Sequence, residues 1–434
     1  IGGKGGGNSN NCDSIYINNN YIGGRARFAR GQSWTMTTAS NMPMRIRGID
    51  IRIPAASTAF IEGNVINNFN MTFTRTANTN EYSFRGIFIN QGKAFVQNNR
   101  IGSRDSLVFT SSANNTAGGI SALGIEFNGA EGIVENNIIQ GMIGAVTGGG
   151  NFGIDITGIR VGATGTGVHI RNNLIGHRTQ IASLRTRNSD KRQTVTGILS
   201  VSNGSNVAEI YGNYISGLCD SSTSWSSYVR GIFHNGTAGV TLYNDTICNL
   251  QSFSVSDQWG TNQGAAGILM LSHTGEANIY NNVIHTVGSS SSISVASHTS
   301  GITSAAPGNS KIYGNRIYNL LNRSTYVNPQ GPYVSGINTG DKEVGGQLFI
   351  YNNMITLGIF PNGTNNPQKA GIIGIWHGND TRHQNVQISY NTIYIGGSES
   401  GASNSTYAFF RGNNWDISIP SPLYLQNNIP VSYT

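Results

Sequence analysis

One short pattern of apolar and polar positions recurs along the whole chain: aliphatic, any residue, Asn or Gly, Asn, any residue, Ile. It reads INNNYI at 17–22, IEGNVI at 61–66, VQNNRI at 96–101, VENNII at 134–139, IRNNLI at 170–175 and IYGNYI at 210–215. It continues as LYNDTI at 242–247, IYNNVI at 279–284, IYGNRI at 312–317, IYNNMI at 350–355 and ISYNTI at 388–393. LQNNIP at 425–430 is a twelfth copy, its register open by one residue. The fourth position forms a column of Asn20, Asn64, Asn99, Asn137, Asn173, Asn213, Asp245, Asn282, Asn315, Asn353 and Asn391, and the sixth is Ile in all eleven complete copies. Successive copies lie 32 to 44 residues apart. The columns do not drift, so the variation falls in loops. Upstream of most copies stands a Gly-Ile pair, as at Gly86-Ile87, Gly124-Ile125, Gly267-Ile268 and Gly336-Ile337. No 3.6-residue period appears in this unit. Each repeat therefore predicts a strand at Gly-Ile, a turn, a strand ending at the Asn, a sharp corner, and a third strand beginning at Ile.

Three short strands per repeat, stacked on the next repeat, predict an all-β, single-stranded right-handed parallel β-helix of about twelve coils. Long variable loops leave it on one side. One domain spans 1–434, with a Gly/Asn-rich segment at 1–14 and coils over 15–430. The Asn column suits the corner because Asn tolerates the left-handed conformation. Its amides can also bond along the axis as in cross-β ladders. The neighbour before it is Asn or Gly in ten of eleven copies, which also suits a bend.

Composition agrees. The 434 residues include 58 Gly and 54 Asn, with only 11% charged residues, less than half the usual share of about 25%. Gly and Asn disfavour helix, while 16 Phe, 18 Tyr and many Ile allow a core. No run of 18 apolar residues appears, so no membrane span is expected. The net charge of +7 is uneven: residues 1–104 carry twelve Lys/Arg against four Asp/Glu, and a second basic run lies within 160–192. Such patches attract acidic polymers, but no nucleic-acid motif accompanies them. Cys12, Cys219 and Cys248 are too few for a disulfide scaffold. The repeat places Cys219 and Cys248 about 10 Å out of step along their strands, so three free thiols are expected.

The Asn column and the Gly-Ile strands resemble the right-handed parallel β-helix, or pectin-lyase-like, superfamily. The segment YNTIYIGGSESGASNSTYAFF at 390–410 and the recurring IYNN resemble secreted Bacteroidetes surface proteins of the type IX secretion class. The resemblance implies an extracellular or cell-surface location. It leaves activity open, because such folds serve lyases, hydrolases, adhesins and phage spikes.

Alternation along a strand turns the residue two before each Asn outward. That column places Tyr211, Tyr243, Tyr280, Tyr313 and Tyr351 on neighbouring coils, a stripe of roughly 19 Å. Exposed tyrosines offer flat faces and hydroxyls to sugars; an aromatic ladder that only braces the sheet is the alternative. Catalysis requires aligned acids. The best near-match is Asp341 and Asp380 with His377 close by, a set that can hold calcium or move protons, although Asp in turns commonly caps its own backbone. His234 and His273 form a near-stack that reads as a turn feature. No resident metal or cofactor is expected otherwise. The expectation is a structural or adhesive module that binds a polysaccharide or cell-surface glycan, with end-to-end or flanking repeats as further partners. A polysaccharide lyase or glycoside hydrolase is the alternative.

Overall fold

The computed structural model describes residues 14–432 except 39–44, 75–81, 113–118, 163–166, 204–207, 225–226, 255–263, 291–296, 325–331, 340–343, 367–369, 379–381, 398–405 and 413–422. The chain falls into two compact units, Ile1–Ser222 and Thr223–Thr434. Each is a parallel β-solenoid in which every coil contributes a strand to each of three sheets. The order within a coil is the predicted one. In unit 1, Tyr82–Gln91 carries Gly86, Lys93–Gln97 ends just before the corner, and Arg100–Ile101 follows it. Unit 2 repeats the plan with Thr299–Ser304, Ser310–Tyr313 and Arg316–Asn322. Six strands in each unit precede the Asn corner, from Ser14–Asn18 to Ala208–Tyr211 and from Val240–Tyr243 to Leu423–Gln426. Among the described residues the only helix is one 3-10 turn, Arg27–Ala29.

Register keeps like on like. Ile61 pairs with Val96 and Ile279 with Ile312, while the Ile column aligns as Ile101 on Ile139 and Ile284 on Ile317. Nearly all of these side chains are fully buried. Because equivalent residues stack, each coil presents its neighbour with a matching shape, and the core packs without knowledge of distant sequence.

The Asn column is a continuous hydrogen-bonded ladder within each unit. Asn99 Nδ2 donates to Asn137 Oδ1 at 3.0 Å, Asn137 to Asn173 and Asn173 to Asn213 at the same distance. In unit 2 the chain runs from Asn282 through Asn315 and Asn353 to Asn391. The second amide proton goes back to the coil before: Asn137 Nδ2 donates to the Val96 carbonyl at 2.8 Å. Each Oδ1 also accepts the backbone N–H of the previous rung, as Asn137 Oδ1 does from Asn99 N at 3.0 Å. These buried amides are therefore fully satisfied. Asn391 donates to Asn428 Oδ1 at 3.0 Å, and Ile393 pairs with Pro430. That fixes the register of the twelfth copy, with Pro430 in the Ile column.

The ladder Asn does not turn the corner. The residue before it does: Asn98, Asn136, Asn172, Asn281 and Asn352 lie at φ between 54° and 56°, with Gly63, Gly212 and Gly314 at 65–67°. The two adjacent positions divide the work, one bending the backbone and one bonding by its side chain.

The Gly of the Gly-Ile pair sits within its strand, as predicted, and what it supplies there is room. A Cβ on Gly124 would lie 2.5 Å from the Gly158 carbonyl oxygen and 2.7 Å from Ile139 Cγ2. The same contact recurs at Gly86 against Ile101 and at Gly301 against Ile317. The Gly and Ile columns thus face each other across the interior, and Ile fills the space the Gly leaves. Gly124→Ala is expected to destabilise unit 1 by about 2–3 kcal/mol through overpacking, measured as a lowered urea midpoint.

Cys219 and Cys248 are both buried thiols outside any disulfide, and burial pushes the Cys219 thiol up. Cys12 lies outside the described residues.

Candidate functional site

The outward face beside the Asn corner is built by the strand that ends two residues before each ladder position. Alternation buries its aliphatic residues and leaves two outward columns. In unit 2 the nearer column is Tyr243, Tyr280, Tyr313 and Tyr351, all part-exposed. Their rings stack almost in parallel, with centroids 5.0, 4.9 and 4.8 Å apart and interplanar angles of 2°, 7° and 3°. The strand register, Tyr280 on Tyr313 and Tyr313 on Tyr351, imposes that spacing.

The stack changes what a ligand would meet. Inner ring faces are taken by neighbouring rings, so edges and hydroxyls point to solvent. Ser389, next in register after Tyr351, is too short to cover a ring. Burial, followed by the adjacent phenols of Tyr351 and Tyr280, holds the Tyr313 hydroxyl above its usual range and hence neutral. Beside the row, Lys311 donates to Glu276 at 2.8 Å, which raises the Lys311 ammonium.

Tyr211 belongs to unit 1, where the same column is polar. Gln97 Nε2 donates to Glu135, Glu135 pairs with Arg171, and Arg171 donates to the Tyr211 hydroxyl at 3.0 Å. The Glu135 hydrogen bond, with that of Tyr211 behind it, raises the Arg171 pKa. A second aromatic stack stands one column further out, with Tyr16 on Phe60 at 4.9 Å and Phe60 on Phe95 at 5.2 Å. Reading the residue four before each Asn, as well as two before, finds it.

Of the candidate acid–base set, Asp341 and Asp380 lie outside the described residues. His377 closes the strand Gly371–His377 and is buried, with Nδ1 2.9 Å from Thr339 Oγ1. His234 closes the strand Tyr228–His234 and His273 lies just after the strand Ala265–Met270, so the first is a strand residue and not the expected turn feature; both are buried, with ring centroids 6.3 Å apart. Each bonds a nearby carbonyl, His234 Nε2 to Ala238 at 3.1 Å and His273 Nδ1 to Gly275 at 3.0 Å. Among the described residues no three His, Cys, Asp or Glu side chains come together to hold a metal. No described helix is long and apolar enough to cross a membrane.

No family model, curated protein or solved structure matches the chain.

Proposed function

We propose that the protein is an extracellular structural or adhesive β-helix module that binds a polysaccharide or cell-surface glycan. On this reading it belongs with the pectin-lyase-like β-helices and with the Bacteroidetes surface proteins that the type IX route exports. The observation that carries the proposal is the register of four part-exposed tyrosines on successive coils of unit 2. Stacked rings fix four hydroxyls in a row at one-coil spacing, each free of the rotamer cost that a flexible polar side chain would carry. A polysaccharide chain lying along the row meets a repeated donor and acceptor with apolar ring edges between.

The test separates binding from bracing. Tyr280→Phe/Tyr313→Phe keeps both rings and removes two hydroxyls; Tyr280→Ala/Tyr313→Ala removes the rings as well. On a glycan array the Phe pair is expected to lose about tenfold or more in affinity, at about 1 kcal/mol per hydrogen bond. The Ala pair should also lose about 1–3 kcal/mol of stability through the broken stack. Unchanged glycan binding by both folded variants would leave the tyrosines with a bracing role alone.

A further inference from the structure

We propose that two neighbouring clefts of unit 1 form one groove that binds a sulfated polysaccharide. The inference goes beyond the tyrosine row and does not rest on it, since every residue involved lies in unit 1. The first cleft, of about 610 Å³, is lined by Tyr21, Phe28, Arg30, Asn67 and, at its far side, Arg100 and Ser103. The second, of about 570 Å³, shares Arg100 and Ser103 and adds Arg104, His177 and Gln180. Tyr21, Val65 and Arg100 follow one another in register just after the Asn corner, and Ile138 and Leu174 continue the column. The groove thus runs along the stack for four coil steps, roughly 19 Å. It gathers arginines from the basic first 104 residues and a histidine from the basic stretch within 160–192.

Its charge is uncompensated. Arg30, Arg100 and Arg104 are exposed, and among the described residues none of them is in an ion pair. Asp105, the residue after Arg104, is taken by Arg185 at 3.4 Å. Elsewhere in unit 1 arginines meet acids inside the protein, as Arg85 and Arg160 do at Glu126. Three unpaired guanidinium groups in one groove focus positive potential on it. His177 is oriented as a donor: its Nδ1 accepts the backbone N–H groups of Gln180 at 2.9 Å and Thr179 at 3.2 Å, leaving the proton on Nε2.

Three features select the ligand class. The arginines are spread over two clefts, which suits a chain of repeated anions rather than one ion. All three cations are guanidinium and no Lys lines either cleft. The fork matches an oxyanion, and its weak hydration favours an equally weakly hydrated partner, a sulfate ester over a carboxylate. Between the charges lie Asn67, Ser103 and Gln180 for sugar hydroxyls, and an exposed Tyr21 ring held edge-on by Phe28 at 5.0 Å.

The experiment is biolayer interferometry on the full chain with four size-matched probes: dextran sulfate oligomer, oligogalacturonate, neutral dextran and oligo-dT. The sulfated oligomer is expected to bind best, more weakly as salt rises. Arg100→Ala/Arg104→Ala should weaken it about tenfold or more, since each side chain offers a charge-assisted bond. Arg100→Lys/Arg104→Lys, which keeps the charge and loses the fork, should restore binding only in part. Tyr280→Phe/Tyr313→Phe should leave sulfated-oligomer binding intact, so failure here and failure of the tyrosine row are told apart. The proposal is overturned by no binding of the sulfated oligomer, by equal or tighter binding of oligogalacturonate or oligo-dT, or by undiminished binding in an Arg100→Ala/Arg104→Ala protein with native circular dichroism.

Discussion

Asn137→Ala is expected to lower the stability of unit 1 by about 3–5 kcal/mol, one of the largest single-residue effects in the protein. The side chain is fully buried. Its removal strands the backbone N–H of Asn99, one amide proton of Asn99 and the carbonyl of Val96. Each orphaned buried group costs about 1–3 kcal/mol, and relaxation recovers part of the sum. Asn173 Oδ1 keeps its bond from the backbone N–H of residue 137, so damage passes toward Asn99 more than toward Asn173. Asn137→Asp keeps the shape but replaces the Nδ2 donor by an oxygen that faces Asn173 Oδ1. It should be at least as harmful near neutral pH and recover in acid, where the protonated carboxyl donates again. Asn98→Gly is the contrasting change. Asn98 sits in the left-handed region at φ 55° with an exposed side chain, and Gly adopts that conformation at no steric cost, so the change should cost under about 1 kcal/mol. Urea unfolding of the three variants measures all of this. A cost below about 1 kcal/mol for Asn137→Ala would show that the ladder is not a main determinant of stability.

That pair of neighbours also shows where the fold was legible in the sequence and where it was not. Columns can be read because a solenoid places the same residue type in the same environment at every coil. Asn at the fourth position and Ile at the sixth therefore revealed strand order, corner and stacking. The division of labour inside the Asn-Asn pair was hidden, since both residues are good turn formers. The distinguishing signal was present all the same. Gly occurs at the third position, at Gly63, Gly212 and Gly314, and never at the fourth, because a residue that must bond through its side chain cannot be Gly. The reverse logic applies at Gly124, where neither turn nor left-handed φ is involved and only the Ile139 side chain across the interior explains the residue.

The candidate site was legible to a lesser depth. Strand alternation placed Tyr243 to Tyr351 in one outward column, but ring orientation depends on side-chain torsions that periodicity does not carry. The structure turns ring face to ring face, so hydroxyls rather than faces meet solvent. The arginine groove escaped column reading altogether. Arg30, Arg100, Arg104 and His177 occupy different positions in their coils, and only the path of the loops after the corner brings them together. The uneven charge along the chain hinted at it without locating it.

The two units are expected to respond to acid in opposite directions, and buried ionisable groups set the sign. In unit 2, burial lowers the imidazoles of His234 and His298 from the usual 6.5 to about 4. Between those values the unfolded chain binds protons that the folded unit refuses, so stability is full above about pH 6.5 and is lost as pH falls toward 4. At 1.4 kcal/mol per unit, each histidine is worth roughly 3 kcal/mol. In unit 1, burial raises the Asp220 carboxyl from 3.8 to about 7. Its Oδ1 accepts from Thr186 Oγ1 at 2.6 Å and from the Ser222 N–H at 3.0 Å, while Oδ2 is buried without a partner among the described residues. Here the folded unit keeps a proton that the unfolded chain has released, so stability is greatest below about pH 4 and falls as pH rises through 7. Hydrogen exchange read by mass spectrometry follows the units separately. From pH 7 to 5, after correction for the intrinsic rate, core peptides of unit 2 should lose protection and those around Asp220 should gain it. Asp220→Asn removes the titration and should flatten the unit 1 response while leaving that of unit 2 unchanged. His234→Gln should reduce the unit 2 response without abolishing it, because burial also lowers the imidazoles of His298, His273 and His285. Parallel loss of protection in both units would mean that Asp220 is ionised in the folded protein, and that a cation or water reaches its Oδ2.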